Sequence, residues 1–329
     1  MTAALVALFV ASLAVTLAAA ALFARRLDLL GLRLGLPETL LGLLTALAAD
    51  APEVSSAVAA LVKGEHKTGV GVVVGSNVFN LAAMVGSSAL VCGLVRLRRE
   101  ALVVEGAVAL AVLLVTSALV VGWLPSAAAI AIIAVVVVPY VALLAAGPRG
   151  ADRLPRGGRF LHRMFGEEHR PLGRRPEHGE AIVRPALILL PALAIIVAGS
   201  ALMVEAAVRL ADRWSMPKYL VGVLVLAVLT SLPNAITGVR LGIHARGSAL
   251  LSETLNSNTI NLIAGVAIPA LLLAFGDFSG LVAFDLAWLI GMTVVALALL
   301  APARGTGRAG GGLLLGLYAV FVAVQVAYR

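Results

Sequence analysis

Ten long apolar segments constrain the fold of this chain more than any other feature of its sequence. Hydrophobic residues make up 61% of its 329 residues and charged residues only 13%, and the apolar residues occur in long runs. A helix needs about 20 apolar residues to cross the ~30 Å hydrocarbon core of a bilayer. The sequence therefore predicts an all-α polytopic membrane protein with about ten transmembrane helices. The predicted spans are 2–24, 37–62, 68–94, 101–122, 126–146, 183–208, 217–243, 248–274, 279–301 and 311–327.

The distribution of basic residues predicts the orientation of these helices. If the N-terminus lies outside, 19 of the 25 Lys and Arg residues fall in cytoplasmic loops, in agreement with the positive-inside rule. Topology thus explains the net charge of +8, and we expect no nucleic-acid partner. We expect a multi-pass protein of the bacterial plasma membrane with both termini outside. The first apolar segment is interpreted as a retained helix, because no basic residue precedes it and Arg25 and Arg26 follow it.

A segment rich in Arg, Pro and Gly divides the chain into two halves of about five helices each. The predicted organisation is a first half at 1–146, a cytoplasmic linker at 147–182 and a second half at 183–329. The composition of the linker is typical of a flexible connector. Its arginines also predict contact with anionic lipid head groups, in addition to the contact of the helices with the bilayer.

An internal repeat relates the two halves. Residues 44–86 and 225–266 align without a gap at a constant shift of 181 residues. The shift superposes Pro52 on Pro233, Ser76 on Ser257, Asn77 on Asn258 and Asn80 on Asn261. Because an odd number of predicted crossings separates the copies, the sequence predicts two inverted five-helix repeats. This arrangement is typical of secondary transporters whose binding site lies near the bilayer midplane.

Each copy of the repeat places polar groups around a proline in mid-membrane. Proline removes a backbone hydrogen bond within a helix, so we expect freed carbonyl groups near Ala48 and Leu229. Asp50 and Glu53 flank the first proline, and an ionisable side chain at the bilayer centre costs about 3 kcal/mol or more. Since no Lys, Arg or His lies well inside a predicted span, these acids indicate an ion site.

The second part of each repeat adds further oxygen donors. Glu253, Ser257 and Asn261 are spaced i, i+4, i+8 and share one face of a predicted helix. Carboxylate, amide and hydroxyl oxygens suit Na⁺ or Ca²⁺ and not Zn²⁺ or Cu⁺. Cys92 is the only cysteine, which excludes a thiolate cluster within the chain.

The two copies resemble the α-repeats of the Ca²⁺/cation antiporter superfamily, the family of Na⁺/Ca²⁺ exchangers. "APEVSSAVAALVKGEHKTGVGVVVGSNVFN" and "LTSLPN…LNSNTIN" are similar to the pattern G-T-S-x-P-E followed by G-S-N-x-x-[ND]. The repeats span about 40–90 and 221–271. The resemblance implies cation ligands at the matching positions, which are Glu53, Ser76, Asn80, Thr230, Ser231, Ser257 and Asn261.

This chain departs from the family pattern at three positions. Asp50 stands where the family has a serine, Asn234 where it has the second glutamate, and Glu253 where it usually has asparagine. The predicted cation site therefore includes these three residues beside the seven that match. One acid is lost from its expected place and two others appear nearby.

These features predict a secondary active antiporter that exchanges Ca²⁺ for Na⁺ or H⁺ by alternating access, with no cofactor. The first and sixth helices, rich in Ala and Leu, are expected to slide as the gate. A monovalent Na⁺/H⁺ exchanger and a non-transporting protein with a degenerated site remain alternatives. A membrane enzyme is disfavoured, because the chain has no H-E-x-x-H or G-x-S-x-G motif and its five histidines lie in or near loops.

Overall fold

The computed structural model describes residues 2–34, 38–95, 97–151, 160, 183–273, 280–302 and 305–327, and nearly all of them are helical. The α-helices of the first half are α1 (Thr2–Arg33), α2 (Glu38–Ala49), α3 (Ala51–Val62), α4 (His66–Asn80), α5 (Ser87–Cys92), α6 (Arg99–Val120) and α7 (Ser126–Ala151). Those of the second half are α8 (Val183–Arg213), α9 (Lys218–Leu220), α10 (Ala227–Thr230), α11 (Leu232–Ile243), α12 (Gly247–Leu262), α13 (Gly280–Leu300) and α14 (Arg308–Ala327).

Helices occupy all ten segments that the sequence predicts as spans. Within the described part of the chain, seven helices are long and apolar enough to cross a membrane, and the bent run from Lys218 to Ile243 makes an eighth. The other two predicted spans contain α2 with α3, which are separated by a break, and α12, which carries many polar residues. The prediction of an all-helical polytopic protein is confirmed. Most of the predicted linker at 147–182 lies outside the described residues, although α7 continues to Ala151.

The two prolines that the internal repeat pairs, Pro52 and Pro233, break their helices at equivalent points. Helix α2 ends at Ala49 and α3 begins at Ala51, so Asp50 lies in the break. Ser231, which the 181-residue shift pairs with Asp50, separates α10 from α11, and the chain bends there by 47°. Proline permits such breaks, because it cannot donate the hydrogen bond that would continue the preceding turn.

Wide π-helical turns follow the second polar motif of each repeat. They cover Leu81–Gly86 after α4 and Ile263–Ala267 after α12, and a third covers Val221–Leu226 before α10. A short 3₁₀ turn, Pro269–Leu271, ends the segment after α12. Such turns insert a residue into a helix, and they occur often at functional sites. The matching positions of the first two π-helical turns extend the internal repeat from sequence to backbone conformation, whereas Val221–Leu226 has no π-helical counterpart in the first repeat.

Contacts at the two ends of the helices connect segments that are distant in the sequence. At one end, strand β1 (Leu94–Val95) pairs antiparallel with β2 (Thr306–Gly307). At the other end, the Lys63 side chain forms an ion pair with Glu205. The predicted orientation places β1 and β2 on one side of the membrane, and Lys63 and Glu205 near the other side.

Small residues allow the central helices of the two halves to approach closely. A Cβ added at Gly75 of α4 would lie 2.2 Å from the carbonyl oxygen of Val223, and one at Gly222 would lie 2.5 Å from that of Thr68. Real side chains cannot come so close to backbone atoms, and such Gly contacts are frequent between membrane helices. The crossing holds the two repeats together directly beside the polar motif that begins at Ser76.

Helices α1 and α8 pack against each other on the outside of this core. A Cβ at Gly199 of α8 would lie 2.3 Å from Thr16 Oγ1 of α1, so the Thr16 side chain packs directly against the α8 backbone at this point. A small cluster of Ala19, Ala20 and Ile196 packs against Ala51, the residue that follows the break in the first repeat. The pair predicted to act as the gate thus touches the broken helix beside Asp50.

Candidate cation site

Nine of the ten predicted site residues are buried in the centre of the helical core. They are Asp50, Glu53, Ser76, Asn80, Thr230, Ser231, Asn234, Ser257 and Asn261, each no more than 1% exposed. The two helix breaks and the first turns of α3 and α11 supply one part of the set. The facing sides of α4 and α12 supply the rest, so both repeats contribute.

The amide of Asn234 connects the two acids of the first repeat. Its Nδ2 atom lies 2.8 Å from Asp50 Oδ1, 3.2 Å from Glu53 Oε1 and 3.2 Å from Ser257 Oγ. Asn234 stands where the family pattern has its second glutamate, so an amide donor faces the carboxylates at this place. The contact crosses between the repeats and joins α11 to α3.

Ser257 is the second junction of the cluster. Its hydroxyl donates a hydrogen bond of 2.6 Å to Asp50 Oδ1 and accepts one of 3.0 Å from Asn80 Nδ2. Direct hydrogen bonds therefore join Asp50, Glu53, Asn80, Asn234 and Ser257 into one network. These five residues come from four separate helical segments. The structure thus joins five of the ten predicted site residues by direct hydrogen bonds.

A reciprocal asparagine pair lies beside this network and was not among the predicted site residues. Asn77 Nδ2 donates to the carbonyl oxygen of Asn258 at 3.0 Å, and Asn258 Nδ2 donates to that of Asn77 at 3.1 Å. Asn80 bonds Asn258 Oδ1 and Asn261 bonds Asn77 Oδ1, each at 3.2 Å. The 181-residue shift pairs Asn77 with Asn258, so the two hydrogen bonds are symmetric copies of each other. The axis that relates the inverted repeats therefore passes through this pair. The alignment of the repeats contained this signal, since both asparagines are equivalent in it.

Several oxygen atoms of the cluster have no hydrogen-bond partner in the structure. They are Asp50 Oδ2, Glu53 Oε2, Ser76 Oγ, Asn80 Oδ1, Ser231 Oγ, Asn234 Oδ1 and Asn261 Oδ1. Ser231 Oγ lies near enough to interact with the Glu53 carboxyl but makes no hydrogen bond of standard geometry. Buried polar atoms are rarely left without partners, because burial without one costs about 1–3 kcal/mol each. All seven are oxygens, which are the atoms that bind hard cations.

Two predicted residues lie less centrally in the network. Thr230 is fully buried, but its hydroxyl donates to the carbonyl oxygen of Leu226 at 2.8 Å, one turn back in its own segment. Glu253 is partly buried, makes no hydrogen bond to the network, and lies near enough to Asp50 for their charges to repel. The Thr230 hydroxyl is therefore satisfied within its own segment, and Glu253 stands at the edge of the network.

Two further acids are buried away from this cluster. Glu105 of α6 is 6% exposed and accepts hydrogen bonds of 2.7 and 2.8 Å from Ser252 Oγ. Asp285 of α13 is fully buried and accepts hydrogen bonds from Tyr219 and Gln325. Both carboxyl groups accept hydrogen bonds from uncharged donors. Each acid lies in the fourth predicted span of its half of the chain.

The donor set limits what the site can bind. Among the described residues, no group of three or more His, Cys, Asp or Glu side chains could hold a metal ion. A cation at the midplane would therefore meet two carboxylates, Asp50 and Glu53, together with neutral amide and hydroxyl oxygens. This chemistry suits Na⁺ or Ca²⁺, since Zn²⁺ and Cu⁺ prefer nitrogen or sulfur ligands.

A family model described as "Sodium/calcium exchanger protein" matches residues 4–146 and 185–327. The two matched regions correspond to the two halves of the structure. The chain belongs to this exchanger family. Members of this family are secondary transporters, and this member is a multi-pass membrane protein with two inverted repeats. The resemblance drawn from the two motifs is thus confirmed. Comparison with curated protein sequences gives no significant match.

Solved structures of exchangers share the fold of this family member. The sodium-calcium exchanger NCX_Mj, soaked with 100 mM Na⁺ and 10 mM Sr²⁺, is 18% identical with a TM-score of 0.61, over 98% of this chain and 99% of that one. The H⁺/Ca²⁺ exchanger CAX is 13% identical with a TM-score of 0.72, over 98% of this chain and 87% of that one. Native YfkE is 15% identical with a TM-score of 0.66, over 96% and 91%. At sequence identities of 13–18%, the similarity to these structures shows a shared fold only.

Proposed function

We propose that this protein exchanges Ca²⁺ for Na⁺ or H⁺ by alternating access at the midplane cluster. The observation that carries the proposal is the set of seven buried, unpartnered oxygens contributed by both repeats. Asp50 and Glu53 supply charge for the divalent ion, and Asn234 supplies an amide oxygen. Ser76, Asn80, Ser231 and Asn261 supply the remaining unpartnered oxygens, Thr230 and Ser257 add hydroxyls, and Glu253 lies at the edge.

The fold supports exchange through its two breaks. Helices α3 and α11 carry the acids and the amide, and each begins at a break that a small movement can bend further. The α1–α8 pair packs on Ala51 beside the first break, so sliding of the pair would open one side of the site and close the other. Competing cations share one set of ligands, and this sharing couples their opposite movements.

A monovalent Na⁺/H⁺ exchanger is the second candidate. It is favoured by the replacement of the expected second glutamate by Asn234, which leaves both carboxylates of the network in the first repeat. One Na⁺ needs less negative charge than one Ca²⁺, and a carboxyl of Asp50 or Glu53 would carry the exchanged proton.

The same proposal includes the surroundings of the protein. We place it in the bacterial plasma membrane with both termini outside, because this orientation puts most arginines in the cytoplasm. The basic linker at 147–182 would then face anionic lipid head groups of the inner leaflet. No cofactor is needed for this activity, since the ion gradients supply the driving force.

Transport by the purified protein in proteoliposomes tests the proposal. Vesicles containing a Ca²⁺ indicator are given a Na⁺ gradient and then a pH gradient. We expect one of these gradients to move Ca²⁺ against its own gradient. Glu53→Gln should abolish the movement, because it keeps the shape of the side chain and removes its charge.

The control for this variant is Glu105→Gln. Glu105 is also a buried membrane carboxylate, but its partner is Ser252 and it lies outside the network. Loss of transport in Glu53→Gln with retention in Glu105→Gln supports the proposal. If neither gradient moves Ca²⁺ while Na⁺ follows the pH gradient, the monovalent exchanger replaces it, and if no cation moves, the exchange proposal fails.

A further inference from the structure

The amide nitrogen of Asn234 lies between the two carboxylates of the site. It is 2.8 Å from Asp50 Oδ1 and 3.2 Å from Glu53 Oε1, while its own Oδ1 atom has no partner. All three residues are fully buried. A neutral N–H donor thus holds together two acidic groups that would otherwise repel each other in a medium of low dielectric constant.

The two possible orientations of this amide have different consequences. An Asn amide has two N–H hydrogens, enough for the two carboxylates, although the same nitrogen also lies 3.2 Å from Ser257 Oγ. The surrounding hydrogen-bond network decides which end of the amide faces which neighbour. If the amide turned by half a rotation, its oxygen would face both carboxylates, and three acceptors would meet. That orientation is favourable only when a cation lies among the three oxygens.

We propose that Asn234 is an amide switch that bridges Asp50 and Glu53 when no cation is bound and turns its oxygen inward when one is. This inference rests on the proposed cation exchange at the same site. A glutamate at this position would add a third negative charge, and a cation-free site would then resist closure. With the bridge, the cation-free site closes and reopens on the other side of the membrane.

The transport consequence is that exchange is not obligatory in this protein. Because the cation-free site can reorient, it returns without a counter-cation, and cations move down their gradient with no ion carried back. The amide bridge therefore determines how tightly the two ion movements are coupled. It also gives a role to the substitution that distinguishes this chain from the family pattern.

The bridge is tested first by thermal unfolding of the purified protein in cation-free buffer. Asn234→Leu removes the bridge without adding charge, and it should lower the melting temperature by at least about 3 °C. Asn261→Leu is the matched control, because the Asn261 amide donates to Asn77 and to no carboxylate. Asn234→Ser is a second variant with little steric cost, and it should also lower the melting temperature more than the control does.

A double-mutant cycle with Asp50→Asn isolates the bridge itself. In that background only one carboxylate remains beside Asn234, so the loss caused by Asn234→Leu should fall by at least half. The inference is overturned if Asn261→Leu is as harmful as Asn234→Leu, or if the loss is the same in both backgrounds. These measurements need no transport, so they decide about the bridge even if the proposed exchange fails.

Net uptake tests the consequence for coupling. Vesicles that contain choline, a Ca²⁺ indicator, a pH indicator and a permeant anion, with no Na⁺ inside, are mixed with external Ca²⁺ at equal pH, and uptake is counted as net only where no equivalent release of protons accompanies it. We expect wild-type vesicles to take up Ca²⁺, and Asn234→Asp to lower the ratio of net uptake to exchange at least about tenfold, since a charge-assisted bridge of 1.5–3 kcal/mol is lost. Wild-type exchange without any net uptake contradicts the switch but leaves the proposed exchange intact.

Discussion

The reciprocal pair of Asn77 and Asn258 gives the most detailed prediction about how the two repeats are held together. Alanine at position 77 removes two hydrogen bonds, one to the Asn258 carbonyl and one from Asn261. Alanine at position 258 also removes two, one to the Asn77 carbonyl and one from Asn80. Hydrogen bonds between membrane helices average about 0.6 kcal/mol and reach about 1.7 kcal/mol. Each substitution should therefore cost about 1–3 kcal/mol, and the two costs should be similar.

The geometry also predicts how the two substitutions combine. Each side chain donates to the other residue's backbone carbonyl, and neither side chain bonds the other side chain. The four lost hydrogen bonds are therefore separate, and the double variant should cost the sum of the single variants within about 0.5 kcal/mol. The assay is equilibrium unfolding of the purified protein in detergent, with wild type, both single variants and the double variant measured together.

Two outcomes would refute this account of the pair. Very unequal single costs would show that the inverted symmetry seen in the hydrogen bonds does not extend to their energies. A coupling above about 1 kcal/mol would show that the two side chains act on each other, as contacting residues usually do. Asn256→Ala is a useful comparison, because Asn256 accepts one hydrogen bond from Tyr140 and lies outside the pair.

Two further predictions concern the helix crossing and the surface. Gly75→Ala should cost about 1–3 kcal/mol of stability and slow transport, because its methyl group would lie 2.2 Å from the Val223 carbonyl oxygen. Unfolding and uptake assays measure these two effects, and wild-type values in both assays would contradict the close crossing. Exchanging the charges of Lys63 and Glu205 should change stability by less than about 1 kcal/mol, since both side chains are about one-third exposed, and a larger loss would show that this pair anchors α8.

The sequence predicts the helices and the repeat well because both depend on patterns within one segment. Long apolar runs indicate spans wherever they occur, and the 181-residue shift needs only the order of Pro52, Ser76 and Asn80 and their copies. The breaks at Asp50 and Ser231 follow from proline chemistry. The departure at Asn234 is also visible in the sequence, because the 181-residue shift pairs Asn234 with Glu53 of the first copy.

Contacts between segments are beyond this kind of prediction. Helical periodicity places Asn77 and Asn80 on helix faces, but it does not say which residue of the other repeat they meet. The π-helical turns that follow change the helix face of the residues beyond them, and nothing in the composition marks where these turns occur. Glu105 and Asp285 are buried, and the donors that make this possible, Ser252 and Tyr219, come from other segments of the chain.

Direct binding of Ca²⁺ tests the central claim that the cluster is a cation site. Calorimetric titration of the purified protein with Ca²⁺ should give binding for wild type and for Glu105→Gln, whose carboxyl lies outside the network. Glu53→Gln should bind at least about tenfold more weakly, because one of two buried charges is lost. Equal binding by wild type and Glu53→Gln, or binding that Glu105→Gln abolishes instead, would contradict the claim.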